Sequence, residues 1–259
     1  MPAPEIVAKS WDTFLEDFDT EWQPGQHIAI IAPTGQGKTT VLCSLLNCDN
    51  RPKGRKFVLA FDPKGGDDTL EKTRFPRLRV WPPRSKDYDA MARGEPVRYI
   101  VGHLARTRDE KTRNRNFLGI ALEGALENGG WTIAIDEFQL ASDRRFMNLA
   151  EAAEEGLISA RRWKTSIVTL FQQPSHVATA AYRMASWIFL GLTLDVDSIN
   201  RLAEITGRPK SDIRGAVAGL ARTDYSWLVL PNNPRRPIVL TLPREAGKVA
   251  PARTERRPA

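Results

Sequence analysis

Fourteen consecutive residues limit this chain to very few folds. His27 to Ala32 (HIAIIA) is an apolar run too short for a helix and rich in β-branched residues, so it reads as a buried strand. Ala-Pro-Thr-Gly-Gln-Gly-Lys-Thr-Thr (32–40) follows without a break, and VLCSLLNC (41–48) then reads as a helix. A strand, a glycine loop, a lysine with a threonine, and a helix form the setting in which backbone amides can encircle phosphates. Gly35 and Gly37 tolerate the positive φ that such curling demands, Lys38 brings a cation, and Thr39 offers a hydroxyl to Mg²⁺. Thr34, Gln36 and Thr40 complete the expected nucleotide contacts. The pattern GxxxxGK[ST] opens with Gly, whereas this chain has Ala32, whose Cβ narrows the backbone without forbidding the loop. The bland alternative is a glycine turn with a chance lysine.

A second site follows from TIAIDEFQ, which puts Asp136 and Glu137 at the carboxyl end of another apolar run, where open α/β sheets hold their ligands. Asp136 suits the Mg²⁺ shell, and Glu137 can polarise a water for in-line attack on a γ-phosphate. The structural alternative is an acidic pair that caps the next helix.

Further buried-strand candidates are KFVLAF (56–61), VRYIV (97–101), WTIAID (131–136), SIVTLF (166–171) and SWIFLGL (186–192), separated by helical or mixed stretches. That alternation predicts a mostly parallel α/β sheet flanked by helices. YSWLVL (225–230) and PIVLTL (237–242), joined by PNNPRR, predict a C-terminal antiparallel hairpin at the sheet edge. Trp11, Phe14, Leu15 and Phe18 lie at helical spacing behind Ser10, a predicted cap for a short amphipathic helix. The expected division is an N-terminal helical extension (1–24), a phosphate-loop domain (25–243) and a disordered basic tail (244–259).

The chain has 259 residues and a net charge of +7, and the charge is uneven. Residues 1–25 hold one Lys against six acids, whereas 231–259 hold seven bases against two acids. LARTRDEKTRNRN (104–116) packs five bases into one stretch, a rim or loop candidate that could face duplex phosphates without reading sequence. Its plain alternative is a solvated charge run. Cys43 and Cys48 have neither CxxC spacing nor a neighbouring His and read as packing residues in a reducing compartment. No window approaches the roughly 18 apolar residues of a membrane span, so a cytoplasmic location is expected.

Four separated motifs resemble the FtsK/HerA superfamily of DNA-pumping P-loop ATPases, which includes conjugative coupling proteins and viral packaging ATPases. They are APTGQGKT, FDPKGG (61–66), IDEFQ, and ARRWKTSIVTLFQQPS (160–175), in the family's order. The resemblance implies a RecA-like, ASCE-type P-loop NTPase fold, ATP and Mg²⁺ as cofactors, and double-stranded DNA gripped without sequence preference. It implies a homo-oligomeric ring, a hexamer, with Gln172 as polar sensor and Arg161 as the finger reaching the neighbour's nucleotide, Arg162 being second choice. Lys64, after Asp62-Pro63, is either a surface lysine or a contact to nucleotide or DNA. By analogy, a motor of this size fits a virus or mobile element, with a portal, relaxase or similar protein as partner. Two rival readings are a packaging ATPase that depends on such a partner and an ATP-dependent switch that does not translocate.

Overall fold

The computed structural model describes residues 6–48, 50–143, 150–172, 179–192, 196–220 and 225–242. Every predicted strand is present: β2 (His27–Ile31), β3 (Phe57–Phe61), β5 (Val97–Val101), β6 (Thr132–Ile135), β7 (Ser166–Phe171), β8 (Ala185–Leu190), β9 (Trp227–Pro231) and β10 (Ile238–Leu242). Two more, β1 (Ile6–Ser10) and the two-residue β4 (Arg77–Leu78), were not expected. All ten join one sheet in the order β1-β10-β9-β8-β2-β7-β6-β3-β5-β4. The pairs from β8 through β2, β7, β6, β3 and β5 to β4 are parallel, while β9 runs antiparallel to both β8 and β10. The hairpin is therefore as expected, but it is not the sheet edge, because β1 pairs in parallel outside β10.

Alternate residues of the central strands feed two cores, as a sheet covered on both faces requires. Ala29, Ile31, Leu59, Phe61, Ile133 and Ile135 point to one face, where α5 (Arg108–Asn128), α9 (Val196–Thr206) and α10 (Lys210–Leu220) bury Leu118, Leu122, Leu202 and Ile213. Ile28, Ile30, Val58, Ala60, Ala134 and Val168 point to the other, under α1 (Trp11–Glu21) and α2 (Lys38–Leu45). On α1, Ser10 accepts from the Thr13 N–H at 3.2 Å, the predicted cap. Phe18 meets the rings of Trp187 and Phe189 edge-on at 5.0 and 5.4 Å, which fastens this helix to β8.

The basic stretch 104–116 is only partly a loop. From Arg108 it forms the first turns of α5, closed by a capping box between Thr107 and Glu110. The residues at 244–259 lie outside those described.

His27, buried at the start of β2, accepts from the Ile167 N–H at 3.0 Å through Nδ1, so its neutral proton sits on Nε2. Burial, opposed in part by the Leu157 carbonyl and aided by the charge of Arg161, lowers its pKa to about 4. An unfolded His titrates near 6.5, so between these values the unfolded chain takes up a proton that the folded chain refuses. Stability is complete above pH 6.5 and falls as pH drops toward 4, by about 3 kcal/mol in total. Thermal melts at pH 7 and 4.5 should show this loss, and His27→Gln should flatten it. An undiminished slope in His27→Gln would assign the loss to other groups.

Candidate active site

The carboxyl ends of β2, β7, β6 and β3 lie side by side, and the predicted site residues fall there. After β2 the chain turns through Thr34–Gly37, with Gly35 at φ +85° and Gly37 at φ +80°, the left-handed backbone expected of both glycines. Gly37 is the N-cap of α2, so the amide-rich start of that helix faces the loop, and Thr39 and Thr40 sit in its first turn. Lys38 Nζ donates to the Pro33 carbonyl at 3.0 Å and lies across the loop. Burial lowers the Lys38 pKa, while the carboxylates of Asp136 and Glu137 act to raise it.

Ala32 follows from a contact across the sheet. A Cβ placed on Gly191, just past β8, would lie 2.5 Å from the Ala32 Cβ and 2.7 Å from Gln36 Oε1. The methyl group that the loop carries at its first position fits because residue 191 has none. Gln36 Nε2 also donates to the Leu192 carbonyl at 3.3 Å, which ties the loop to the same strand end.

β7 separates the loop strand β2 from the acidic strand β6, and its end presents Gln172 between them. Lys38, Glu137 and Gln172 line one cavity of about 250 Å³, together with Lys64, Gln139 and Asp143. The latter two were not singled out in the sequence. Glu137 stands at the N-cap position of α6 (Phe138–Ser142) at φ +49°, yet its side chain makes no cap bond. Its carboxylate meets Lys64 Nζ at 2.5 Å, so the helix-cap alternative fails for Glu137. Asp136 is 9% exposed, and its pKa is raised to about 7 by burial and by the carboxylates of Asp67, Glu137 and Asp62. The carboxylates gathered around Asp136 suit a divalent cation, and Asp136 with Thr39, in the first turn of α2, would hold it.

Lys64 is aimed by the Asp62-Pro63-Lys64-Gly65 turn. The buried Asp62 carboxylate accepts from the Gly65 N–H at 2.9 Å and the Asp67 N–H at 3.3 Å, and pairs with Arg77 at 3.2 Å. Arg161 is not brought to this cavity. It lies in the exposed turn before β7, at the amino ends of the central strands, where its carbonyl oxygen would be 3.1 Å from a Cβ on Gly25. Arg162 stacks over the Trp163 ring at 5.3 Å.

No family model matches the chain. Among curated proteins it is similar to the hemin import ATP-binding protein HmuV of Pseudomonas aeruginosa, 31% identical over 96 residues, or 37% of this chain. The chain spans about a third (35%) of the length of that relative. Among solved structures it resembles the genome packaging NTPase B204 of Sulfolobus turreted icosahedral virus 2 in complex with ATP-gammaS. That likeness has a TM-score of 0.56 and 13% identity over 86% of this chain and 100% of the other. The DNA-packaging ATPase B204 of Sulfolobus turreted icosahedral virus gives 0.55 and 15% over the same shares. At such identities the likeness is one of fold, and it is the P-loop NTPase fold that the FtsK/HerA resemblance implies.

Proposed function

We propose that this protein is a ring-forming ATPase that hydrolyses MgATP to move double-stranded DNA for a virus or mobile element, acting in the cytoplasm. The observation that carries this reading is the meeting of Lys38, Glu137 and Gln172 at one cavity beside the phosphate loop. In this reading residues 25–243 are the motor, 1–24 an extension docked on it, and 244–259 a basic tail.

The loop amides of Thr34–Thr40 take the β- and γ-phosphates, and Lys38 exchanges the Pro33 carbonyl for them. Thr39 and Asp136 would hold Mg²⁺, which would supply charge neutralisation at the phosphates. Lys64 has a side chain 61% exposed, and an ion pair so open to water is worth about 1 kcal/mol or less. An arriving γ-phosphate therefore redirects Lys64 and frees Glu137. Glu137 then accepts the proton of the attacking water, which the Gln172 amide orients without competing for metal. Arg161 of an adjacent subunit completes the charge around the γ-phosphate.

The five bases of 104–116 follow β5, at the same carboxyl end of the parallel strands as the phosphate loop, and in a ring they would meet backbone phosphates. Linear double-stranded DNA is thus expected to raise steady-state hydrolysis severalfold at low salt, with the stimulation vanishing as salt rises and Glu137→Gln as blank. A second reading, a packaging ATPase that works only on its portal or vertex, is favoured by the likeness to the viral packaging NTPase across all of that chain. ATP binding with flat, low turnover in DNA would select that reading. If a docking partner also failed to raise turnover, a non-translocating switch would remain.

A further inference from the structure

A second cavity, of about 340 Å³, flanks the phosphate loop at Gly37 and Thr40 and is walled by Trp11, Ser44, Tyr225 and Trp227. Its three aromatic residues come from two distant places: the first residue of α1, and the start of β9 with the residue two before it. Trp11 and Trp227 are buried, whereas Tyr225 is 69% exposed. Tyr225 also holds a left-handed backbone, φ +56°, a conformation that a bulky residue rarely adopts. Its ring lies against the loop, with Cδ1 3.9 Å from where a Cβ on Gly37 would stand.

We propose that this cavity receives the purine base of the bound nucleotide, stacked on Tyr225 above a floor of Trp11 and Trp227. The inference rests on the ATPase reading, which fixes the phosphates at Gly35–Thr39 and leaves the base one sugar away. Of these two cavities, the first carries Lys38, Lys64, Glu137 and Asp143 and suits a charged phosphate with its water. The second is lined by three aromatic rings and Val41, with Gln36 and the hydroxyl-bearing Thr40 and Ser44 as its polar residues. A neutral heteroaromatic ring gains by burial there, and each hydroxyl can either donate to or accept from its edge. Stacking therefore sets most of the base's contribution to affinity.

The test is equilibrium binding of MgATP-γ-S and of magnesium tripolyphosphate to the full chain, to Tyr225→Ala and to Tyr225→Phe. Loss of a base–aromatic stack should weaken MgATP-γ-S binding by about tenfold or more in Tyr225→Ala. Tyr225→Phe should bind as the parent does, and tripolyphosphate affinity should be the same in all three. Because Tyr225 is mostly exposed, its truncation leaves the cores intact, and matched thermal melts verify that. Unchanged MgATP-γ-S affinity in Tyr225→Ala, or an equal loss for tripolyphosphate, would overturn the base site while leaving the ATPase reading standing. A parent chain that bound neither probe would remove both.

Discussion

Glu137→Gln is expected to cut steady-state ATP turnover by about 10²- to 10⁴-fold, the usual worth of a positioned general base, while MgATP affinity stays close to that of the parent. The carboxylate lines the cavity with Lys38 and Gln172, makes no helix-cap bond, and is engaged by Lys64 at 2.5 Å. A glutamine keeps the size of the side chain and an oxygen for Lys64, but it cannot take a proton from water. The left-handed backbone at φ +49° is as accessible to Gln as to Glu, so folding is not the variable being tested. Turnover and equilibrium binding measured on one preparation separate the two effects. Near-normal turnover would remove Glu137 as the base.

Arg161→Ala is expected to lose about 10³-fold or more in turnover, the scale of a finger that meets transition-state charge, yet to bind MgATP and assemble normally. Six residues of β7 lie between the turn that carries Arg161 and the Gln172 end of the sheet. At about 3.3 Å per residue that is roughly 20 Å, too far for the side chain to serve the phosphates of its own subunit. An active Arg161 must therefore act on a neighbour. Arg162 is already stacked on Trp163, which favours Arg161 as the reaching residue. Mixing Arg161→Ala with Lys38→Ala protein should restore part of the activity, because some interfaces then pair an intact loop with an intact finger. Absence of rescue at every mixing ratio would sink the finger in trans.

Much of this site was legible because its signals are local. The glycines at 35 and 37, the cation at 38 and the acidic pair after an apolar run each depend on a few adjacent residues. The buried strands were visible for the same reason, since a parallel strand covered on both faces must be apolar throughout. β4 was missed because two residues carry no period, and β1 because IVAKS is half exposed and is ordered by pairing with β10. The sequence leaves two roles for Lys64, because its turn meets Glu137 only once β3 and β6 are adjacent.

The sequence by itself determined the phosphate loop, the acidic pair, the alternation of strands and helices, and the cap at Ser10. Each is a consequence of backbone freedom, charge or periodicity within about a dozen residues. The tertiary structure alone decided that β7 stands between β2 and β6, so that Gln172 joins Lys38 and Glu137. It alone decided that Gly191 makes room for Ala32, that Lys64 pairs with Glu137, and that Trp11 and Trp227 meet beside Gly37. These contacts join residues from about 35 to more than 200 positions apart, and only the packing of one sheet between two cores determines which distant side chains become neighbours.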